Sequence, residues 1–200
     1  ALVIQDEATP CIYGHACQRR DVQNTIRGAQ RFFSFEDEAK IKLCYSDNSG
    51  EIEQAMMFCE LRHDQSVPHC PNTNAISENS IRRAKEGTTC LLMQSGLNHR
   101  YWPEAMRAWC ASRTFFDINN DGPYKGKTPY EGKFGNKVTS LNPDIKRIPF
   151  GAKVNYLPKS EAIKNKVRKF GKKTVEGVFM GYKQKSGMAW GGSYFVLDAQ

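Results

Sequence analysis

Two carboxylates in this chain stand where a sheet and a helix would offer them to a shared ligand. Ile41, Leu43 and Tyr45 alternate, the period of a strand with one buried face. Asp47 follows at its tip and leads into the turn Asn48, Ser49, Gly50, Glu51. Glu78 stands near the start of the longest amphipathic stretch, with Arg82 and Lys85 at i+4 and i+7 on the same helical face. A helix N-terminus packed beside a strand tip can bring two carboxylates within reach of one ion. Magnesium and manganese accept such oxygen ligands, few from protein and the rest from water and phosphate. An acid at one end of the face and two cations further along then suits a phosphodiester. Read alone, the same helix fits a solvated face with ordinary intrahelical ion pairs better.

Zinc is a weaker candidate. Cys11, His15 and Cys17, and later His63, His69 and Cys70, lack the paired CxxC or HxxxH spacing that closes a tetrahedral site. Seven cysteines in all, an odd count without framework spacing, point to reduced thiols in an intracellular, non-secreted protein. Charge points to the partner. The 200 residues carry 29 Lys+Arg against 21 Asp+Glu, a net +8, which favours polyanions and nucleic acid before membrane. A basic run supports this: Lys159, Lys164, Lys166, Arg168, Lys169, Lys172 and Lys173, with only Glu161 among them. Such a run binds phosphates by counterion release, or else forms a solvated loop. No apolar run approaches the roughly 18–20 residues that span a bilayer. The opening "ALVIQDEATP" is too short and too soon charged for a signal peptide, and without a Met it reads as the interior of a longer protein.

The elements that must position these groups follow from periodicity. Leu2 to Gln5 and residues 11–17 read as strands around a "DEATP" turn. Val22, Ile26, Ala29 and Phe33 recur at helical spacing after the N-cap candidate Asp21. The strand 40–46 comes next, then a helix over 52–61, a brief extended piece, and the long helix from Ser77. Ile81, Ala84, Thr88, Leu91 and Leu92 form its apolar stripe, and Gly96 ends it. Pro103 opens a further helix whose Trp102, Met106, Trp109 and Phe116 read as core. The expected organisation is an α/β core over 1–120, a linker over 121–145, and a small basic β-rich module over 146–200. The absence of a glycine-rich turn between the first strand and helix excludes a Rossmann unit.

The segments "SDNSGE", "HCPNTNAISENSIRRAKEG" and "LLMQSGLNHRYWPEAMRAWCASR" together resemble the integrase of copia-type retrotransposons, part of a Pol polyprotein. That family carries D-N/R-G-x-E, then P-x-x-P-Q-x-N-G-V-A-E-R, a basic helix, an S-G-L turn and a W-x-E-A helix. "VIQDEATP" is similar to its second strand and turn, and "FGAKVNYLPK" with "KFGKKTVEGVFMGY" to its downstream segment. The resemblance runs through nearly the whole chain in order. It implies a ribonuclease-H-like mixed sheet with flanking helices, and a D, D, E triad holding two Mg2+ or Mn2+ ions for end processing and strand transfer in DNA integration. Asp47 would be the second acid and Glu78 the third, both metal ligands. Asn48 and Asn74 would lie at the metal–phosphate edge. Arg82, Arg83 and Lys85, with Lys166, Arg168, Lys169, Lys172 and Lys173 of the basic run, would meet DNA. A homo-multimer acting in the nucleus, after a cytoplasmic particle stage, is also implied.

The chain departs from the pattern at Ala75, Asn72, Asn79 and Pro10, where the family favours Gly, Gln, Arg and Arg. The first acid belongs on a strand before Leu2–Gln5, outside this sequence, and Asp6 matches only the turn. The expectation is therefore a chain inactive alone, with strands 2–5 and 40–46 either pairing directly or flanking a gap. The alternative function is a non-catalytic basic nucleic-acid-binding module derived from an integrase. A structural subunit docking through the Trp and Phe residues of 101–116 has the least support.

Overall fold

The computed structural model describes residues 1–33, 41–67, 74–141, 143, 145–157 and 173–198. The chain opens with an antiparallel pair, β1 (Leu2–Gln5) and β2 (Ile12–His15), in the register Leu2–His15 to Gln5–Ile12. Asp6 closes the turn between them. Its carboxylate accepts from the Ala8 amide at 3.1 Å and from the Thr9 hydroxyl, and its own amide donates to the Cys11 carbonyl at 2.9 Å. Asp6 is thus a turn residue, as its sequence context implied. The helix α1 (Val22–Phe32) starts where Asp21 accepts the Asn24 amide at 2.8 Å, a side-chain N-cap.

A parallel crossover follows: β3 (Cys44–Ser46), α2 (Gly50–Phe58) and β4 (His63–Gln65). Ile26, Ala29, Ala55 and Met56 form the buried seam between α1 and α2. The strand is shorter than the 40–46 expected. Leu43 and Tyr45, its intended buried side chains, stay 50% and 43% exposed. Their exposure has a topological cause. β1–β2 and β3–β4 are separate two-stranded sheets, and among the described residues no ladder joins β1 to β3. Direct pairing of these two strands, one of the two outcomes expected, is not found among the described residues.

The long helix α3 (Ala75–Ser95) crosses α4 (Trp102–Phe116). The expected stripe on α3 is displaced by one position at its start. Ser80, Ala84 and Thr88 are buried, whereas Ile81 is 39% exposed. Small side chains win here because they let the helix axes approach closely. The Ser80 hydroxyl bonds Gln5 of β1 at 2.7 Å, and Gly87 faces the Trp109 indole so closely that a Cβ would overlap it. Gly96 ends α3 in the left-handed conformation (φ 66°), the position that favours glycine.

On α4 the expected core positions hold only in part. Met106 is buried, but Trp102 is 37% exposed and Trp109 and Phe116 are only partly covered. The buried set is Ala105, Met106, Ala108, Cys110, Ala111, Thr114 and Phe115, too many for one stripe. The helix is central, covered on one side by β2 and on another by a C-terminal antiparallel sheet. That sheet runs β5 (Lys153–Tyr156), β6 (Val175–Gln184), β7 (Trp190–Asp198), in that spatial order.

The segment 121–145, expected as a linker, instead carries α5 (Pro129–Phe134) and α6 (Val138–Leu141). Tyr130, Val138 and Ile145 join Ala111 and Phe115 of α4 and Phe179, Tyr182 and Trp190 of the sheet in the largest core cluster. The β-rich segment is therefore packed onto the core through α4 rather than tethered to it. Local signals for α5 were present. Pro129 occupies its first turn, the Thr128 hydroxyl accepts the Glu131 amide at 3.1 Å, and Gly135 ends it.

Candidate metal and nucleic-acid site

Asp47 stands one residue beyond β3, on the loop entering α2. Its carboxylate accepts from the Ser49 hydroxyl at 2.7 Å and faces the Arg20 guanidinium at 3.7 Å. The same Arg20 makes a closer ion pair with Glu51, in the first turn of α2. Ser46 ends the strand and holds His63 of β4, Oγ to Nε2, at 2.9 Å. The strand tip thus gathers two carboxylates and one cation. Arg20 and Glu51 were not anticipated as site residues. Glu51 lay inside the quoted "SDNSGE" motif and was legible there, whereas Arg20 lies 27 positions upstream, with no local signal tying it to Asp47.

Glu78 lies in the first turn of α3, where a negative side chain complements the helix dipole. Its amide donates to the Asn74 carbonyl at 3.0 Å, and its carboxylate accepts from Asn74 Nδ2 at 3.4 Å. Asn74 is therefore the neighbour of Glu78, and Asn48 is exposed beside Asp47. No hydrogen bond or ion pair joins Asp47 to Glu78 among the described residues. The anchoring of each is separate: α3 is tied to β1 through Ser80–Gln5, and Asp47 follows β3, which belongs to a different sheet.

The outer face of α3 is charged, but its bonds differ from a simple ladder. Arg82 pairs with Glu86 at 3.1 Å and donates to Asn79 at 2.7 Å, so its charge is engaged along the helix. Lys85 is exposed and unpaired among the described residues. Arg83 turns toward α4. Partial burial, with Arg113 and Arg82 nearby, lowers its pKa below the usual arginine range, and Asp117 opposes that shift. Lys173 is exposed ahead of β6. Lys166, Arg168, Lys169 and Lys172 lie outside the described residues.

Divalent metal is what these carboxylates would hold, and their oxygens suit a hard cation in kind. In number they fall short: among the described residues no group of three or more His, Cys, Asp or Glu side chains is placed to hold an ion. No described helix is long and apolar enough to cross a membrane.

No family model matches the chain. Among solved structures it is similar to a chain of the simian T-cell lymphotropic virus intasome in complex with PP2A regulatory subunit B56 gamma. The TM-score is 0.50 at 13% identity, over 99% of this chain and 71% of that one. At that identity the likeness is one of fold. What the two share is a mixed α/β arrangement of helices and small sheets.

Proposed function

We propose that this chain is the core segment of a copia-type retrotransposon integrase, a ribonuclease-H-like polynucleotidyl transferase acting on DNA ends and target DNA. The observation that carries this reading is the intasome fold likeness over 99% of the chain. It is joined by the order of elements: a crossover β3–α2–β4 with an acid at the strand tip, then a long helix with an acid in its first turn. Asp47 and Glu78 are the residues that would hold Mg2+ or Mn2+, which when bound supplies Lewis acidity at a phosphoryl oxygen. Lys85 offers a free ammonium to the DNA backbone, and Arg82 and Arg83 add charge to the same helix. Asn48 and Asn74 can donate amide hydrogens to phosphate oxygens at the two carboxylates. Arg20 balances the charge of Asp47 and competes with any cation for it.

The first acid of the triad is proposed to come from a strand upstream that enters between β1 and β3. The segment 1–200 without it then lacks transferase activity. DNA partners, multimeric assembly and a nuclear site of action after a cytoplasmic particle stage belong to the same proposal.

A second reading is a non-catalytic nucleic-acid-binding module derived from an integrase. It is favoured by the engagement of Asp47 with Arg20 and by the net charge of +8. The test is manganese-dependent nicking of DNA by a chain extended upstream through the missing strand. Asp47→Asn and Glu78→Gln should each abolish it. Cutting by both variants at the parent's rate would remove these residues from the site.

A further inference from the structure

A cavity of about 240 Å3 lies at the seam between the core and the C-terminal sheet, with Tyr13, His15, Arg31, Arg107, Lys185 and Phe195 in its lining. It shares no residue with the Asp47 and Glu78 sites. Three cations converge on it from three elements: Arg31 from the last turn of α1, Arg107 from α4, and Lys185 from the turn after β6. Among the described residues no carboxylate is part of the lining. Glu104 neutralises only Arg107, at 3.1 Å, and Arg31 and Lys185 have no ion pair among the described residues. The concentration of positive charge has a visible consequence. Burial first, and then the nearby positive groups headed by Arg31, lower the pKa of His15. Tyr13 and Tyr182 add aromatic side chains to the lining, and the Phe195 ring rests against the Arg107 guanidinium, 5.6 Å from carbon to ring centre.

A concave site with unbalanced cations and aromatic walls is built for an anion carrying an organic body. Its volume is below that of pockets for drug-sized ligands, about 300–1,000 Å3, and suits a phosphate with an attached sugar. We propose that this cavity binds a phosphate monoester, the phosphoryl oxygens meeting Arg31, Arg107 and Lys185 and the sugar lying against Tyr13 and Phe195. A monoester carries close to two negative charges near neutrality, as phosphorylated side chains do, and so matches several cations better than a chain diester with one. Two sources share this chemistry: a free nucleotide and the phosphorylated end of a nucleic-acid strand. The proposal stands independently of the metal-site reading, so either can fail without the other.

The test uses the whole chain and four probes: inorganic phosphate, thymidine 5′-monophosphate, and a tetranucleotide with or without a 5′-phosphate. Binding is followed by calorimetry and by the imidazole NMR signals of His15. A bound dianion opposes the field of Arg31, Arg107 and Arg27, so the His15 pKa should rise on saturation. Arg31→Gln and Lys185→Gln lie at exposed positions, leave the fold intact by amide spectra, and should each weaken binding about tenfold. A response to the mononucleotide alone assigns the cavity to a free nucleotide. A response to the 5′-phosphorylated tetranucleotide as well assigns it to a strand end. Equal binding of the two tetranucleotides, an unmoved His15, or variants that bind like the parent would each overturn the proposal.

Discussion

Truncating Phe115 asks whether the C-terminal sheet and the core are one cooperative unit. Phe115 is 1% exposed at the centre of the seam. Its ring meets those of Phe116, Tyr130, Tyr182 and Trp190 at centroid distances of 6.1, 5.4, 5.6 and 6.0 Å, all near edge-to-face. These partners sit on α4, α5, β6 and β7, so a single side chain joins four elements. Phe115→Ala leaves a ring-sized cavity and should cost about 3–5 kcal/mol, a large share of a total stability of about 5–15 kcal/mol. Phe115→Leu keeps most of the apolar contact but loses the ring pairs. Each pair contributes about 0.5–1.5 kcal/mol beyond its area, and neighbouring terms are not additive, so about 1–3 kcal/mol is expected. Urea unfolding followed by tryptophan fluorescence and by far-ultraviolet circular dichroism reads this out. At a slope of about 1–3 kcal/mol per molar urea, Phe115→Leu moves the midpoint by about 1 M. In a Trp102→Phe, Trp109→Phe background the remaining Trp190 reports the sheet while helical ellipticity reports the core, and both should shift together. Two resolved transitions, only one of them displaced, would refute the shared core and restore a tethered module.

Three further outcomes follow from named contacts. Gly87→Ala drives a methyl group into the Trp109 indole and should destabilise by about 1–3 kcal/mol in urea unfolding with Trp109 retained, because the α3–α4 crossing has no slack. Burial pushes the thiol of Cys44 up to about 11, with Cys59 adding to it, and that of Cys110 up to about 12, from 9.0. The folded chain holds these protons more tightly than the unfolded one, so their contribution is intact below about pH 9 and lost as pH rises toward the folded values. At pH 8 a thiol reagent should modify exposed Cys90 in the native protein and reach Cys110 only on unfolding. On duplex DNA, Lys85→Gln should reduce the slope of log affinity against log salt by about 1. Arg82→Gln should reduce it by less, because Glu86 already holds Arg82 at 3.1 Å. Fluorescence anisotropy across a salt series measures both, and slopes equal to the parent's would place DNA elsewhere.

Local chemistry made much of the fold legible. Asp21, Pro103 and Gly96 mark helix boundaries through capping, ring geometry and left-handed backbone, all of which act within a few residues. Short apolar, strand-like runs bounded by turn residues marked the two N-terminal strands and the three of the C-terminal sheet for the same reason. What escaped were features set by distant partners. The stripe on α3 moved from Ile81 to Ser80 because its neighbours α4 and β1 demand small residues, and periodicity cannot weigh closeness of approach. The segment 121–145 read as a linker from its Gly, Pro and Lys content. Tyr130, Val138 and Ile145 enter a core whose other half lies up to 60 residues away, and composition is blind to that. At the candidate site, the strand tip and the helix start were visible as Asp47 and Glu78. The Arg20 pair and the cavity cations depend on chain crossings and left no trace in spacing.

The central claim is that Asp47 and Glu78 serve one divalent ion. Titration of the 15N-labelled chain with Mn2+ tests it most directly, because the paramagnetic ion broadens amide signals only near where it binds. The account predicts saturable broadening of residues 47–51 and 75–79 at the same manganese concentration, with both sets restored to sharp lines by Asp47→Asn. Broadening of one segment without the other, or broadening around Glu78 that survives Asp47→Asn, would contradict it.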